Sequence, residues 1–144
     1  MGRYLGSMAL CLLCACSPDV DGPPTTDPEI VKVEFVTRSG DDGEIFTFRL
    51  DFSDYDGNLG QGSLSITVNE EEPKVFELEM LFSAQTFPVA LDAKLGQIEF
   101  DITHQPMSID RGDMINFKFI LTDGAQESSM PEQLTLVAVI RGGG

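Results

Sequence analysis

The fold this sequence predicts is all-β, a seven-stranded antiparallel β-sandwich, and three observations predict it. Apolar residues recur at every second position through most of the chain after Glu29, the period of a strand with one buried and one wet face. The runs are separated by segments rich in Gly, Asp, Asn and Pro, where turns belong. The chain has 144 residues, 42% of them hydrophobic and ten of them Phe, enough apolar material for one core and one domain.

The strands follow in order. Val31, Val33 and Phe35 mark the first, and Phe46, Phe48, Leu50 and Phe52 the second. Leu64, Ile66 and Val68 mark the third; Phe76, Leu78, Met80 and Phe82 the fourth; Ile98, Phe100 and Ile102 the fifth. Ile115, Phe117, Phe119 and Leu121 mark the sixth, and Leu134, Leu136, Ala138 and Ile140 the seventh. No segment reads as a sustained apolar stripe at helical spacing, and a short helical turn near Val89 to Lys94 is the most the pattern allows. Seven strands with a Phe, Leu, Ile and Val core point to two packed sheets of immunoglobulin or fibronectin type III character. The cysteine and tryptophan hallmarks of immunoglobulin domains are absent, which favours the fibronectin type III side; a small barrel is the alternative. Successive loops of such a sandwich alternate between its ends. DYDGN, the fourth-to-fifth connection and DGAQES then share one end, which is also where the first strand begins.

Residues 1–15 are unlike the rest: Arg3 precedes an uncharged apolar run from about Leu5 to Ala15. The run is shorter than the roughly 20 residues a membrane helix needs, so a signal peptide is expected. Cys11, Cys14 and Cys16 all lie at this end and none occurs later, which excludes a disulfide framework. Leu13-Cys14-Ala15-Cys16 resembles the lipobox of bacterial lipoproteins, and that resemblance implies cleavage after Ala15 and acylation of Cys16. The alternative is an ordinary secretory signal with incidental cysteines. Several acyl chains hold a protein stably on a membrane where one does so only marginally. Residues 16–28 then form the lipidated cysteine and a Pro-, Asp- and Thr-rich tether, with a reach on the order of 40 Å when extended. Ser17 follows the cysteine where Asp does not, which in lipoprotein sorting looks like an outer-membrane destination. Residues 29–144 are left as the sandwich domain.

Charge narrows the partners. Nine Lys and Arg stand against 24 Asp and Glu, a net charge of −15, and loss of Arg3 with the leader makes it 8 − 24 = −16. Nucleic acid is excluded as a natural partner because no basic patch faces its phosphates. Cations and basic surfaces suit this domain instead. Glu70, Glu71 and Glu72, with Asp41 and Asp42, make the end away from the tether acidic; this is either a solvated face or a docking surface for a basic partner.

The stretch DYDGNLG, residues 54–60, is the clearest candidate site. Asp54, Asp56 and Asn58 present oxygens at the i, i+2, i+4 spacing of a calcium loop. The EF-hand template fails where its glycine falls on Leu59 and its bidentate glutamate on Ser65. Further ligands must come from the other loop at that end, where Asp123 and Glu127 stand. The other reading is a tight turn in which Gly57 and Gly60 adopt positive φ and the aspartates cap their own backbone. Tyr55 is the one tyrosine left once the leader is removed, and with Glu127 it is the candidate for a glycan contact.

The blocks FTFRLDFSDYDGNLGQGSLSI and FKFILTDGAQESSMPEQLTLV, residues 46–66 and 117–137, resemble small Bacteroidota envelope lipoproteins of uncharacterised function. In those, one strand runs into a D-x-D-G-[DN]-[LI]-G turn and a late strand into an Asp-x-Ala-Gly-Asn-x-Ser-like turn. Asp54, Asp56, Gly57, Asn58, Leu59 and Gly60 fit the first; Asp123, Ala125 and Ser128 or Ser129 fit the second. Gln126 and Glu127 replace the usual Gly-Asn. The resemblance covers about half the chain and implies a cell-envelope, sandwich-like domain without an enzymatic activity.

No catalytic constellation is legible. His104 is the one histidine and has no nucleophile-elbow context, and zinc has too few ligands. Arg111-Gly112-Asp113 is the integrin-recognition tripeptide, equally read as a turn before the sixth strand. The expected function is therefore that of a non-catalytic outer-membrane lipoprotein domain, mediating protein–protein interaction or a structural role in the envelope. The alternative is a glycan- or calcium-binding surface module using the DYDGN and DGAQES loops.

Overall fold

The computed structural model describes residues 26–41, 43–104 and 114–137. Cys16, most of the tether, the Arg111-Gly112-Asp113 tripeptide and the last apolar positions, Ala138 and Ile140, lie outside the described residues. The elements are β1 (Glu29–Ser39), β2 (Ile45–Ser53), a 3-10 turn (Leu59–Gln61), β3 (Ser63–Val68), β4 (Lys74–Glu77), α1 (Leu78–Ser83), β5 (Leu95–Thr103), β6 (Met114–Thr122) and β7 (Glu132–Val137). They form two antiparallel sheets, ordered β1-β2-β5 and β4-β3-β6-β7.

The sheets face each other across alternating side chains. Phe46, Phe48, Leu50 and Phe52 of β2 and Ile98, Phe100 and Ile102 of β5 meet Leu64, Ile66 and Val68 of β3 and Ile115, Phe117, Phe119 and Leu121 of β6, all buried. Phe48 is the hub: its ring centroid lies 4.8 Å from Phe117 and 5.2 Å from Phe119, edge to face in both cases. Aromatic pairs in that geometry add to the stabilisation from buried area.

Two elements depart from the strict alternation expected of them. Along β1 the register slips between Ile30 and Lys32 and again between Phe35 and Thr37. The first bulge turns Ile30 inward and leaves Val31 58% exposed, so the expectation for Val31 is corrected to Ile30, while Val33 packs against the core and Phe35 against Phe46 and Phe48. Bulges are a common device on edge strands, which must not offer a flat face to other chains. The fourth strand is also shorter than expected. It stops at Glu77, and Leu78–Ser83 forms a helix. Leu78, Met80 and Phe82 lie two apart, but Leu78 and Phe82 are also i and i+4, with Leu81 at i+3. In the helix Leu78 and Phe82 are buried while Met80 is 67% exposed. LEMLFS contains no β-branched residue and several strong helix formers, and the helical spacing prevails. Phe82 stacks on Phe52 at 5.3 Å, closing that end of the core. Residues 89–94, expected to hold at most a helical turn, contain a turn closed by the Ala93 amide on the Ala90 carbonyl at 3.1 Å.

The loop ends group as strand alternation predicts. Asp54 N–H donates to the Lys94 carbonyl (2.8 Å), Gly60 N–H to that of Leu91 (3.2 Å) and Gly124 N–H to that of Asn58 (3.1 Å). The β2–β3, α1–β5 and β6–β7 connections are thereby tied into one cap. β1 begins at the same end, with Glu29 opposite Ser53, and Thr26 just before it donates to the Glu127 carboxylate at 2.6 Å.

Candidate functional site

The cap is built on an apolar anchor. Leu59 is fully buried in the core, and its 3-10 turn pins the otherwise polar DYDGNLG loop to the sandwich. Gly57 takes φ +69°, and a Cβ there would stand 2.8 Å from the Asp92 carbonyl oxygen. Gly60, expected to need positive φ, is required for a different reason: a Cβ would meet Leu91 backbone atoms at 2.5–2.6 Å. Glycine here permits close approach of two chains rather than an unusual dihedral.

Asp54 and Asp123 are the first residues of their loops, directly after β2 and β6, and both are wholly buried. Asp54 Oδ2 accepts the Asn58 backbone N–H at 2.9 Å. Asp123 Oδ1 accepts the N–H groups of Ala125 (2.9 Å) and Glu127 (2.8 Å), an Asx-type closure of the second loop. That loop is further fixed by Ser129, whose Oγ accepts the Leu121 N–H at 2.9 Å while its own N–H donates to the Leu121 carbonyl at 2.8 Å. Gln126 adopts φ +68°, a left-handed conformation more often supplied by glycine.

These loops bring three carboxylates together. Asp54, Asp56 and Asp123 each place one oxygen so that all lie within 4.8 Å of one another. The Asn58 amide sits among them and has two distinguishable orientations. With nitrogen inward it donates to Asp123 Oδ2 at 3.2 Å and to Asp54 Oδ2 at 3.0 Å. With oxygen inward its nitrogen reaches only Asp56 Oδ2, at 3.5 Å. Asp54 Oδ1 is buried with no hydrogen-bond partner among the described residues. Burial, helped by the Asp56 carboxyl beside it and the Asp123 charge, pushes the Asp54 carboxyl up to about 6; the Asn58 N–H opposes this. Among the described residues, ion pairs join Lys32 and Arg49 to Glu34 and Glu99, and none reaches this cluster.

The four oxygen-bearing residues singled out as a calcium set, Asp54, Asp56, Asn58 and Asp123, thus converge. The two glycan candidates do not join them. Glu127 directs its carboxylate to Thr26, and Tyr55 is 56% exposed with Lys94 Nζ 5.6 Å from its ring centroid.

A second concavity had no periodic signature in the sequence. It is an open groove of about 840 Å³ along the free edge of β5, lined by Arg49, Gln97, Glu99, Gln85 and Phe87 among others. Gln85 clips that edge: its amide donates to the Glu99 carbonyl at 2.9 Å and its Oε1 accepts the Glu99 N–H at 2.8 Å. A side chain thereby takes the place of a neighbouring strand. Phe87 beside it is 86% exposed.

Compared with family models, curated proteins and solved structures, the chain finds no match in any of the three.

Proposed function

We propose that this chain is a non-catalytic, lipid-anchored envelope domain of fibronectin type III-like build, held on the outer membrane by acylated Cys16 and serving to bind or position other envelope proteins. The observation that carries this reading is where the chain enters the fold. β1 starts directly after the tether and at the loop cap, so an anchor upstream of Glu29 orients the cap toward the lipid and the acidic opposite end, with exposed Glu70, Glu71 and Glu72, toward partners. The fold supports the finer assignment as well. β4 hydrogen-bonds β3, in the sheet of β6 and β7, rather than joining β1, β2 and β5. That pairing differs from the immunoglobulin constant type, whose fourth strand lies beside the fifth, and so favours the fibronectin type III-like reading.

The test has two arms. Metabolic labelling with palmitate and membrane fractionation should place the wild type in the outer-membrane fraction as a labelled protein, and Cys16→Ser should lose both label and membrane association. Affinity capture from solubilised envelopes should recover one stoichiometric partner whose capture weakens when Glu70, Glu71 and Glu72 are changed to Gln. An unlabelled, soluble wild type contradicts the anchor, and capture that recovers no partner contradicts the binding role.

A further inference from the structure

The cap holds a convergence of oxygens that no ion pair reaches among the described residues. Asp54, Asp56 and Asp123 bring carboxylate oxygens within 4.8 Å of one another, from loops 60 or more residues apart in sequence. At such separations like charges repel strongly once water is excluded, and two of the three residues are fully buried. No lysine or arginine pairs with them among the described residues.

One further observation points to a missing positive partner. Asp54 Oδ1 is buried and accepts no hydrogen bond among the described residues, although a buried carboxylate oxygen costs free energy unless something satisfies it. The Asn58 amide, nitrogen inward, donates to Asp54 Oδ2 and Asp123 Oδ2 and so turns the positive end of its dipole to the cluster. A bound cation takes over that role once the amide turns its oxygen inward as a ligand.

We propose that Asp54, Asp56, Asn58 and Asp123 form a calcium site that clasps the β2–β3 loop to the β6–β7 loop. The ligand set is all oxygen, three carboxylates and one amide carbonyl, which suits a hard cation and excludes the softer metals that prefer nitrogen or sulfur. Calcium accepts six to eight oxygens in adaptable geometry, so water completes the shell on the side of exposed Asp56. The affinity belongs in the range of extracellular modules, with Kd on the order of 10⁻⁴–10⁻³ M. This site stands independently of the lipid anchor, because its ligands and their convergence are the same whether or not Cys16 is acylated.

The full chain in nonionic detergent, stripped with chelator, is titrated with calcium chloride and in parallel with magnesium chloride. Melting temperature and terbium luminescence, sensitised by Tyr55 within the loop, are the readouts. Calcium should raise the melting temperature by several degrees with saturation and displace terbium. Asp56→Asn, at an exposed position that does not endanger folding, should weaken binding about tenfold. Asp123→Asn, which keeps the oxygen that closes its own loop, should abolish the response. Glu71→Gln at the opposite end should leave it unchanged. Absence of a saturable rise up to ~10 mM calcium overturns the site, as does wild-type binding by Asp56→Asn. An equal response to magnesium overturns the assignment to calcium.

Discussion

Asp54 concentrates the physics of this protein in one residue. It directly follows β2, it is buried, and one of its oxygens has no hydrogen-bond partner among the described residues. Its carboxyl is pushed up to about 6 from an ordinary value near 3.9. In metal-free protein the folded state therefore holds this proton more tightly than the unfolded chain does. Stability from this group is present below about pH 4, is lost as pH rises toward about 6, and stays lost above that. Melting temperatures of wild type and Asp54→Asn, measured in chelator between about pH 4 and 8, should diverge across that window, with the wild type falling relative to the variant. A wild type that gains on the variant as pH rises contradicts the account. The residue types and spacing of Asp54, Asp56 and Asn58 were legible in DYDGNLG, and Asp123 followed from loop alternation. Their burial was not legible, because it depends on Leu59 drawing the loop into the core and on Gly60 letting Leu91 approach.

Among the elements, α1 shows where periodicity misleads. Leu78 and Phe82 satisfy both a period of two and the i, i+4 relation, so the sequence pattern alone favours neither. Met80 decides: a continuous strand puts it on the face of its neighbours, whereas the helix exposes it. Phe82→Ala should cost about 3–5 kcal/mol in urea unfolding, as for other buried aromatic truncations. Met80→Ala should cost less than about 0.5 kcal/mol, as surface changes do; comparable losses at both positions would restore the strand. The remaining strands were readable because one face of each is wet, which leaves a clean alternation. β1 was misread at Val31 because a bulge shifts inward and outward positions by one residue, and a bulge depends on the partner strand rather than on local sequence.

At the scale of the whole molecule the two ends of the sandwich differ in kind. One end is a hydrogen-bonded cap where the chain enters and three loops meet over converging carboxylates. The other is formed by turns with exposed acidic residues, Glu70, Glu71 and Glu72 among them, where Asn69 and Glu70 take positive φ. That polarity was legible from strand count alone, since an antiparallel sandwich sends alternate loops to opposite ends. The sheet that β4 joins was not legible, because a four-residue strand carries too few side chains to declare its neighbour. A cation at the cap makes the β2–β3 and β6–β7 loops behave as one unit, and hydrogen–deuterium exchange of the full chain with and without calcium measures this most directly. The account predicts that calcium slows exchange together at residues 54–62 and 123–129 and leaves residues 69–72 at the far end unchanged. Exchange at the two cap loops that is indifferent to calcium would contradict it.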